Sequence, residues 1–282
     1  VFDAILYINR TGIPWKYLPH DFPGHGTVYF YHAAWRDEGI FAQLNYDLTG
    51  LARVKEGRKP EPTASVIDTQ SIKTSTNVPL TSQGTDAAKK IVGRKRGILA
   101  DTIGRRRVRR RRKLRLKAAL LGRSRGGQTS KVHTASERTC RPLAIVLTEG
   151  QAADSPQFIP VLAKVRVRGP VGRPRTRPDA VAGDKAYSSR RNRAHLRQRQ
   201  IKAVIPEKRD QAANRKKKGS RGGRPVTHDA ELYKERNTVE RLINRLKAWR
   251  GIATRFDKTP ESYLAGLHLR ASMIWIKKLT TS

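Results

Sequence analysis

Acidic residues are scarce in this chain of 282 residues: 23 Asp and Glu stand against 60 Lys and Arg. Cysteine is rarer still, with Cys140 alone, which excludes an internal disulfide framework and any cysteine-based zinc site. The seven histidines are scattered without metal-ligand spacing, so no zinc centre is expected. A phosphate-binding loop of the G-x-x-x-x-G-K-[ST] type is missing, and ATP is therefore not implied. No apolar run approaches the length that crosses a bilayer. The first residues, Val1 to Ile8, lack the basic region and cleavage site of a signal peptide. These absences fit a soluble protein of a reducing cytoplasm with no membrane partner. The chain opens on Val1 inside an apolar helical pattern (Phe2, Ile5, Leu6, Ile8), which reads as a truncated start.

What is present is positive charge. A formal net charge of +37 and a pI near 11.3 call for a polyanionic partner, and nucleic acid is the usual one, because each neutralised phosphate releases counterions. Ribosomal proteins and other basic scaffolds share this composition, so charge alone names no activity. The length suffices for one good core and a small extra domain.

The most informative stretch runs from Tyr233 to Lys247. At about 100° per helical residue, Tyr233, Arg236, Glu240 and Lys247 fall within roughly 60°, while Val239, Leu242, Ile243, Leu246 and Trp249 fill the adjoining arc. One face packs, and its border holds a carboxylate flanked by cations. Taken alone this is an amphipathic helix with solvated charges. The spacing Y-x2-R-x3-E-x6-K, however, together with Asn237 to Arg241, Arg245 to Arg255 and Tyr263 to Leu267, resembles the IS5 family of IS4/IS5-type DDE insertion-sequence transposases. Further matches follow. Arg10-Thr-Gly12-Ile-Pro-Trp15-Lys-Tyr-Leu18-Pro19 is similar to the N-terminal helical region of such proteins, which would help to grip the transposon end. Asp68-Thr-Gln-Ser-Ile-Lys73-Thr matches the setting of the first catalytic Asp, and Asp184-Lys-Ala-Tyr187-Ser-Ser that of the second.

Along the chain, residues 1–56 read as short helices whose aromatics sit at core spacing, and 57–63 as a linker by proline and charge. Ala64 to Asp68 reads as a short strand ending in a carboxylate, Asp179 to Ser189 as a buried strand entering a helix at Ser188 to Gln200, and Lys202 to Pro206 as another strand. In isolation an Asp at either strand end is a turn or cap residue. Between them, Lys95 to Ile103 reads as a strand, and Arg105 to Lys117 holds ten basic residues in thirteen. Ser130 to Ala135 then resembles the same strand from another IS5 subgroup, and Arg141 to Thr148 is its hairpin partner. The chain thus reads as a chimera of two transposases, as a frameshifted gene, or as carrying a true DNA-binding arm, with a basic insert or junction at about 105–120. Since a sheet position holds one strand, Ser130 to Ala135 is expected beside the Asp68 strand. Asn214 to Arg224 reads as a basic glycine-rich loop suited to a phosphate backbone through Lys216, Lys217, Lys218, Arg221 and Arg224.

The resemblance implies an α/β fold: an RNase H-like catalytic domain with a mixed sheet at 64–277, plus the small N-terminal helical domain. It implies Asp68, Asp184 and Glu240 as catalytic carboxylates binding Mg²⁺ or Mn²⁺; Asp86, Asp101 and Asp154 match no catalytic position. Carboxylate oxygens suit these ions, and two cations about 3.5–4 Å apart serve phosphodiester cleavage. Arg236 and Lys247 would contact phosphate and Tyr233 a displaced strand. The implied partners are double-stranded DNA, at transposon ends and target, and further copies of the chain on it, in association with the nucleoid. The function implied is cleavage at the ends and strand transfer. An inactive remnant that only binds DNA, and a nuclease or resolvase on the same fold, are the rival readings.

Overall fold

Phe2, Ile5, Leu6 and Ile8 recur at helical spacing, and the computed structural model forms helix α1 there (Phe2–Thr11). It describes residues 1–57, 64–74, 118–124, 127–168, 172–226, 229–234 and 236–280. Helix α1 stops at Gly12, whose left-handed φ of 68° lets its N–H reach Ile8 O at 2.8 Å. A β-carbon there would also stand 2.8 Å from the Phe256 ring, so glycine is required by conformation and by space. Helices α2 (His25–Asp37) and α3 (Ile40–Lys55) follow. Their apolar faces, with α1, bury Ala4, Ile5, Val28 and Phe41 against Ala265 and Leu269 of the chain's last helix, Pro260–Thr280.

Among the described residues seven strands make one mixed sheet: β1 (Ala64–Thr74), β2 (Gly122–Ser124), β3 (Gly127–Ser136), β4 (Pro142–Glu149), β5 (Ala180–Gly183), β6 (Lys202–Val204) and β7 (Thr254–Arg255). The main order is β4-β3-β1-β5-β6. Strand β3 is antiparallel to both β1 and β4, while β5 is parallel to β1 and to β6. On the β5 side of β1, pairing ends at Ile67 with Gly183 and resumes only at Lys73 with Thr254 of β7. The sheet therefore opens just beyond Ile67, and α/β sheets bind ligands where neighbouring strands diverge at their carboxyl ends.

The strand expected at Ala64 to Asp68 runs on to Thr74. Ser130 to Ala135 does lie beside it, with Thr134 opposite Asp68. A short loop closes the β3–β4 hairpin, Glu137 N–H donating to Arg141 O at 3.0 Å, which keeps the loop entropy small. The alternative strand up to Ile103, residues 105–117 of the arginine run, Asp86, Asp101 and residues 58–63 of the expected linker lie outside the described residues.

Side chains alternate across the sheet with period two. Val181 joins Ile67, Phe158, Leu162 and Leu196 on one face, covered by α4 (Asp154–Ala163) and α5 (Arg190–Gln198). Its neighbours Ala180 and Ala182 face Val204 and Val239 on the other. There, after α6 (Arg209–Lys217) and α7 (Ala230–Lys234), helix α8 (Asn237–Lys247) lays Leu242 and Leu246 on Val132, Ile145 and Leu147. Each such side chain contributes about 1.5–3 kcal/mol on burial. A short helix α9 (Arg250–Ala253) leads through β7 to the last helix, α10 (Pro260–Thr280). Helix α10 supplies Leu267, Ala271 and Ile274 to the α8 face and Trp275 to the opposite cluster. The Trp275 indole N–H donates to Pro142 O at 3.1 Å.

Two local expectations are corrected. The single helix foreseen from Tyr233 is two, α7 and α8. Arg236 N–H bonds Tyr233 O, and Val239 N–H bonds Arg236 O, so two i−3 bonds tighten the chain between them. The foreseen loop from Asn214 is helical to Lys217 and continues as a 3₁₀ turn at Gly219–Gly222. Its helix is fastened by Gln211, whose side-chain amide donates to Ser188 O at 2.6 Å, and by the Arg215–Glu207 ion pair at 3.3 Å.

A feature with little local sequence signal ties α3 to the β3–β4 hairpin. Arg53 pairs with Glu137, and Arg141 pairs with Glu56 and, at 3.3 Å, with Glu137. Thr139 donates to the same carboxylate, and the Arg141 guanidinium lies 5.2 Å over the Trp275 ring. Arg53, Glu137 and Arg141 are buried, and the four charges sum to zero.

Candidate active site

Asp184 follows the last residue of β5 and is held on both sides. Its carboxylate accepts the Lys185 N–H at 2.6 Å and caps the 3₁₀ turn Lys185–Tyr187. Tyr187 is buried against Phe158, and Ser188 is tied to Gln211 and Arg193. Ser189 caps α5 by accepting the Asn192 N–H. Asp184 is thus both the cap residue that its local sequence suggests and a side chain fixed at the sheet opening.

The backbone of Asp68 lies one residue past the Ile67–Gly183 pair, so Asp68 and Asp184 hold corresponding places just beyond the last pair of two adjacent parallel strands. The Asp68 side chain lies outside the described residues. Glu240 stands on the first turn of α8, next to Val239, which packs on Ala180 and Ala182 of β5. That packing sets Glu240 at the edge of the same opening. Arg236 joins the two described carboxylates: its guanidinium lies 2.6 Å from Glu240 Oε1 and 3.8 Å from Asp184 Oδ1. Asp184 and Glu240 are 39% and 49% exposed, open to a ligand from solvent.

This donor set is carboxylate oxygen, the chemistry that Mg²⁺ and Mn²⁺ prefer, and one guanidinium offsets half of the pair's charge. Among the described residues no group of three His, Cys, Asp or Glu side chains is arranged to hold a metal ion; that set does not include the Asp68 side chain. The residues present fit a divalent cation that would share its site with, or displace, the guanidinium.

The other predicted residues lie on α6, on the turn after it, and on α7 and α8. Tyr233 is half-buried at the end of α7 with Leu232 against the β5–β6 cluster. Lys247 is two helical turns, roughly 10 Å, beyond Glu240. It is half-buried, and burial lowers its ammonium below the usual lysine range. Lys216, Lys217, Lys218, Arg221 and Arg224 are exposed on the α6 end and the turn after it. Asp154 is engaged elsewhere, in an ion pair with Lys131 at 2.9 Å.

Exposed lysines that meet phosphate set the salt dependence of binding. Replacing Lys216, Lys217 and Lys218 with Gln is expected to flatten the plot of log affinity against log salt by about 0.9 for each phosphate that they neutralise. Fluorescence anisotropy with a labelled duplex at several salt concentrations measures it, and an unchanged slope would remove this cluster from the DNA interface.

The buried Arg53–Glu137–Arg141–Glu56 set escapes sequence reasoning, because Arg53 and Glu137 are 84 residues apart. Only the i,i+4 spacing of Glu137 and Arg141 hints at it.

Comparison with known proteins yields two matching families. The transposase DDE domain matches residues 106–262, a span that includes Asp184 and Glu240 and begins past Asp68. "Putative transposase of IS4/5 family" matches residues 1–45. A Brucella ovis protein, "Putative transposase for insertion sequence element IS6501", is 32% identical over 149 residues, 53% of this chain and 99% of that protein. A Burkholderia cepacia protein, "Putative transposase for insertion sequence element IS402", is 31% identical over 146 residues, 51% of this chain and 62% of that protein. No solved structure matches.

Proposed function

The chain belongs to the IS4/IS5-type DDE transposases, and from that premise we propose that it cuts DNA at the ends of an insertion sequence and joins them to target DNA, using Mg²⁺ or Mn²⁺. The observation that carries this reading is the convergence of Asp184 and Glu240 on Arg236, with the Asp68 backbone one step beyond the Ile67–Gly183 pair.

Asp68, Asp184 and Glu240 would hold the cations. When bound, a pair of divalent ions activates the attacking oxygen and stabilises the leaving one. The chain's own residues do the rest. Arg236 offsets the repulsion between two carboxylates before substrate arrives, then is free to pair with a phosphate oxygen. Lys247, partly desolvated, gains more from meeting an anion than a fully hydrated lysine would. Tyr233 offers a ring to an unpaired strand. The packing of Val239 on β5 holds the Glu240 backbone in register with Asp184.

The sheet order β4-β3-β1-β5-β6, antiparallel on one side of β1 and parallel on the other, supports an RNase H-like catalytic unit at 64–277. Helices α1 to α3 would then be the N-terminal unit at 1–56 that helps to grip the transposon end, with further copies of the chain assembled on DNA at the nucleoid. Among the described residues no helix is long and apolar enough to cross a membrane.

The test is a cleavage assay on labelled DNA carrying the element's own ends, with Mg²⁺ or with EDTA. Breaks at the ends and joined products are expected with Mg²⁺ alone. Binding without breaks would identify an inactive remnant, and breaks away from the ends a nuclease.

A further inference from the structure

Between α1, α2, the 3₁₀ turn Trp15–Tyr17 and the segment from Gly251 to Leu269, the protein forms an open cavity of about 610 Å³. That is within the range, about 300–1,000 Å³, of cavities that take small organic ligands. It lies among the N-terminal helices, and neither Asp184, Glu240 nor Arg236 lines it.

One wall is aromatic. The Trp15 ring meets Tyr29 edge-on with centroids 5.2 Å apart and His32 at 5.1 Å, and Phe41 follows 5.7 Å from His32. His32 is only 5% exposed, yet its Nδ1 has no hydrogen-bond partner. Burial, and then the neighbouring Arg36, lowers that imidazole to about 4, so at neutral pH it is uncharged and can exchange a hydrogen bond with a neutral ligand. The positive charge sits outside: Lys16 and Lys258 line the cavity and are exposed. Asp257 also lines the cavity, its carboxyl raised by burial to about 6. Flat rings with the orphaned His32 nitrogen and this carboxyl as polar groups, and cations at the rim, suit a nucleotide with its base inward, whose ring amino groups can donate to the carboxyl. An apolar side chain from a protein partner would leave His32 Nδ1 unsatisfied and the lysines unmatched.

We propose that this cavity accepts one nucleobase that has left the duplex stack, its ring against Trp15, its edge at His32, and the adjoining phosphates at Lys16 and Lys258. The proposal rests on the reading of the chain as a DNA-binding transposase. A base already unpaired has little stacking to lose and gains the aromatic wall.

Two duplexes of one sequence provide the test, one fully paired and one with a single unpaired 2-aminopurine, titrated with the full chain. The unpaired duplex should bind about 5- to 150-fold tighter, the range that stacking of one base on an aromatic side chain supplies, and its 2-aminopurine fluorescence should be quenched. Trp15→Leu should bring both the preference and the quenching close to nothing. Gly26, on the exposed part of the lining, offers a second variant: a β-carbon there meets no atom within 4 Å, so Gly26→Leu fits without strain, should do the same by narrowing the mouth, and keeps the test sound if the first variant fails to fold. Equal binding with unchanged fluorescence overturns the proposal while sparing the DNA-binding reading, as does a preference that persists undiminished in Gly26→Leu. Failure to bind either duplex overturns both.

Discussion

Glu240→Gln is expected to remove metal-dependent cleavage by at least a hundredfold while changing DNA affinity only a few-fold. Even residues standing behind a metal's ligands cost about 10- to 100-fold when changed, and a ligand itself costs more. Gln keeps the volume of Glu240 and an oxygen that can accept from Arg236, so Val239 and the rest of α8 have no reason to move. Only the negative charge goes. Asp184→Asn should behave alike, since its remaining carbonyl oxygen can still accept the Lys185 N–H and cap the turn. Asp154→Asn is the contrast: it breaks an ion pair with Lys131 on another part of the sheet and should leave cleavage within a few-fold. Cleavage of labelled ends in Mg²⁺ and in Mn²⁺, beside a gel-shift titration, checks all three. Undiminished cleavage by the Glu240 variant would take that residue out of the centre.

Glu137→Gln should be the most damaging change away from the site. It leaves Arg53 and Arg141 buried with Glu56 as the one remaining carboxylate of the set, and breaking a buried ion pair from one side costs about 3–5 kcal/mol. For a chain of this size that corresponds to a Tm roughly 6–20 °C lower. Replacing both members, Arg53→Met with Glu137→Leu, removes the pair and should recover much of the loss. Thermal unfolding followed by circular dichroism measures both. A loss below about 1 kcal/mol in the single variant would mean that water reaches these charges and that the set does not anchor α3.

The parts of the fold legible in the sequence are those whose cause is local. Ala180 to Gly183 are small and apolar because β5 is buried on both faces, and a polar residue straight after such a run marks the strand's end, at Asp184. Val239, Leu242, Ile243 and Leu246 recur at helical period because one side of α8 rests on the sheet. The hairpin of β3 and β4 is visible because its loop is short. Tertiary causes are not visible. Nothing near Lys216 announces a helix; α6 is held by Gln211 reaching Ser188, 23 residues away. Nor could the sequence foretell that Arg236 is shared between Asp184 and Glu240, or that residues from Ile5 to Leu269 line one cavity.

Helices α1 to α3 complete their core only with α10, and the bonds that mark this junction are very long in sequence. Asn9 waits 257 residues for Gly266, and Arg36 waits 226 for Ser262. At about 5–20 residues per second, a ribosome takes roughly 10 to 50 s to cover that distance. For that time Ile5, Val28 and Phe41 of each nascent chain lack the side chains of Ala265 and Leu269 that later cover them. Where several ribosomes follow one another on a message, α10 of a finished chain can reach the waiting helices of a chain still being made. Yield of folded protein should therefore depend on how widely the ribosomes are spaced.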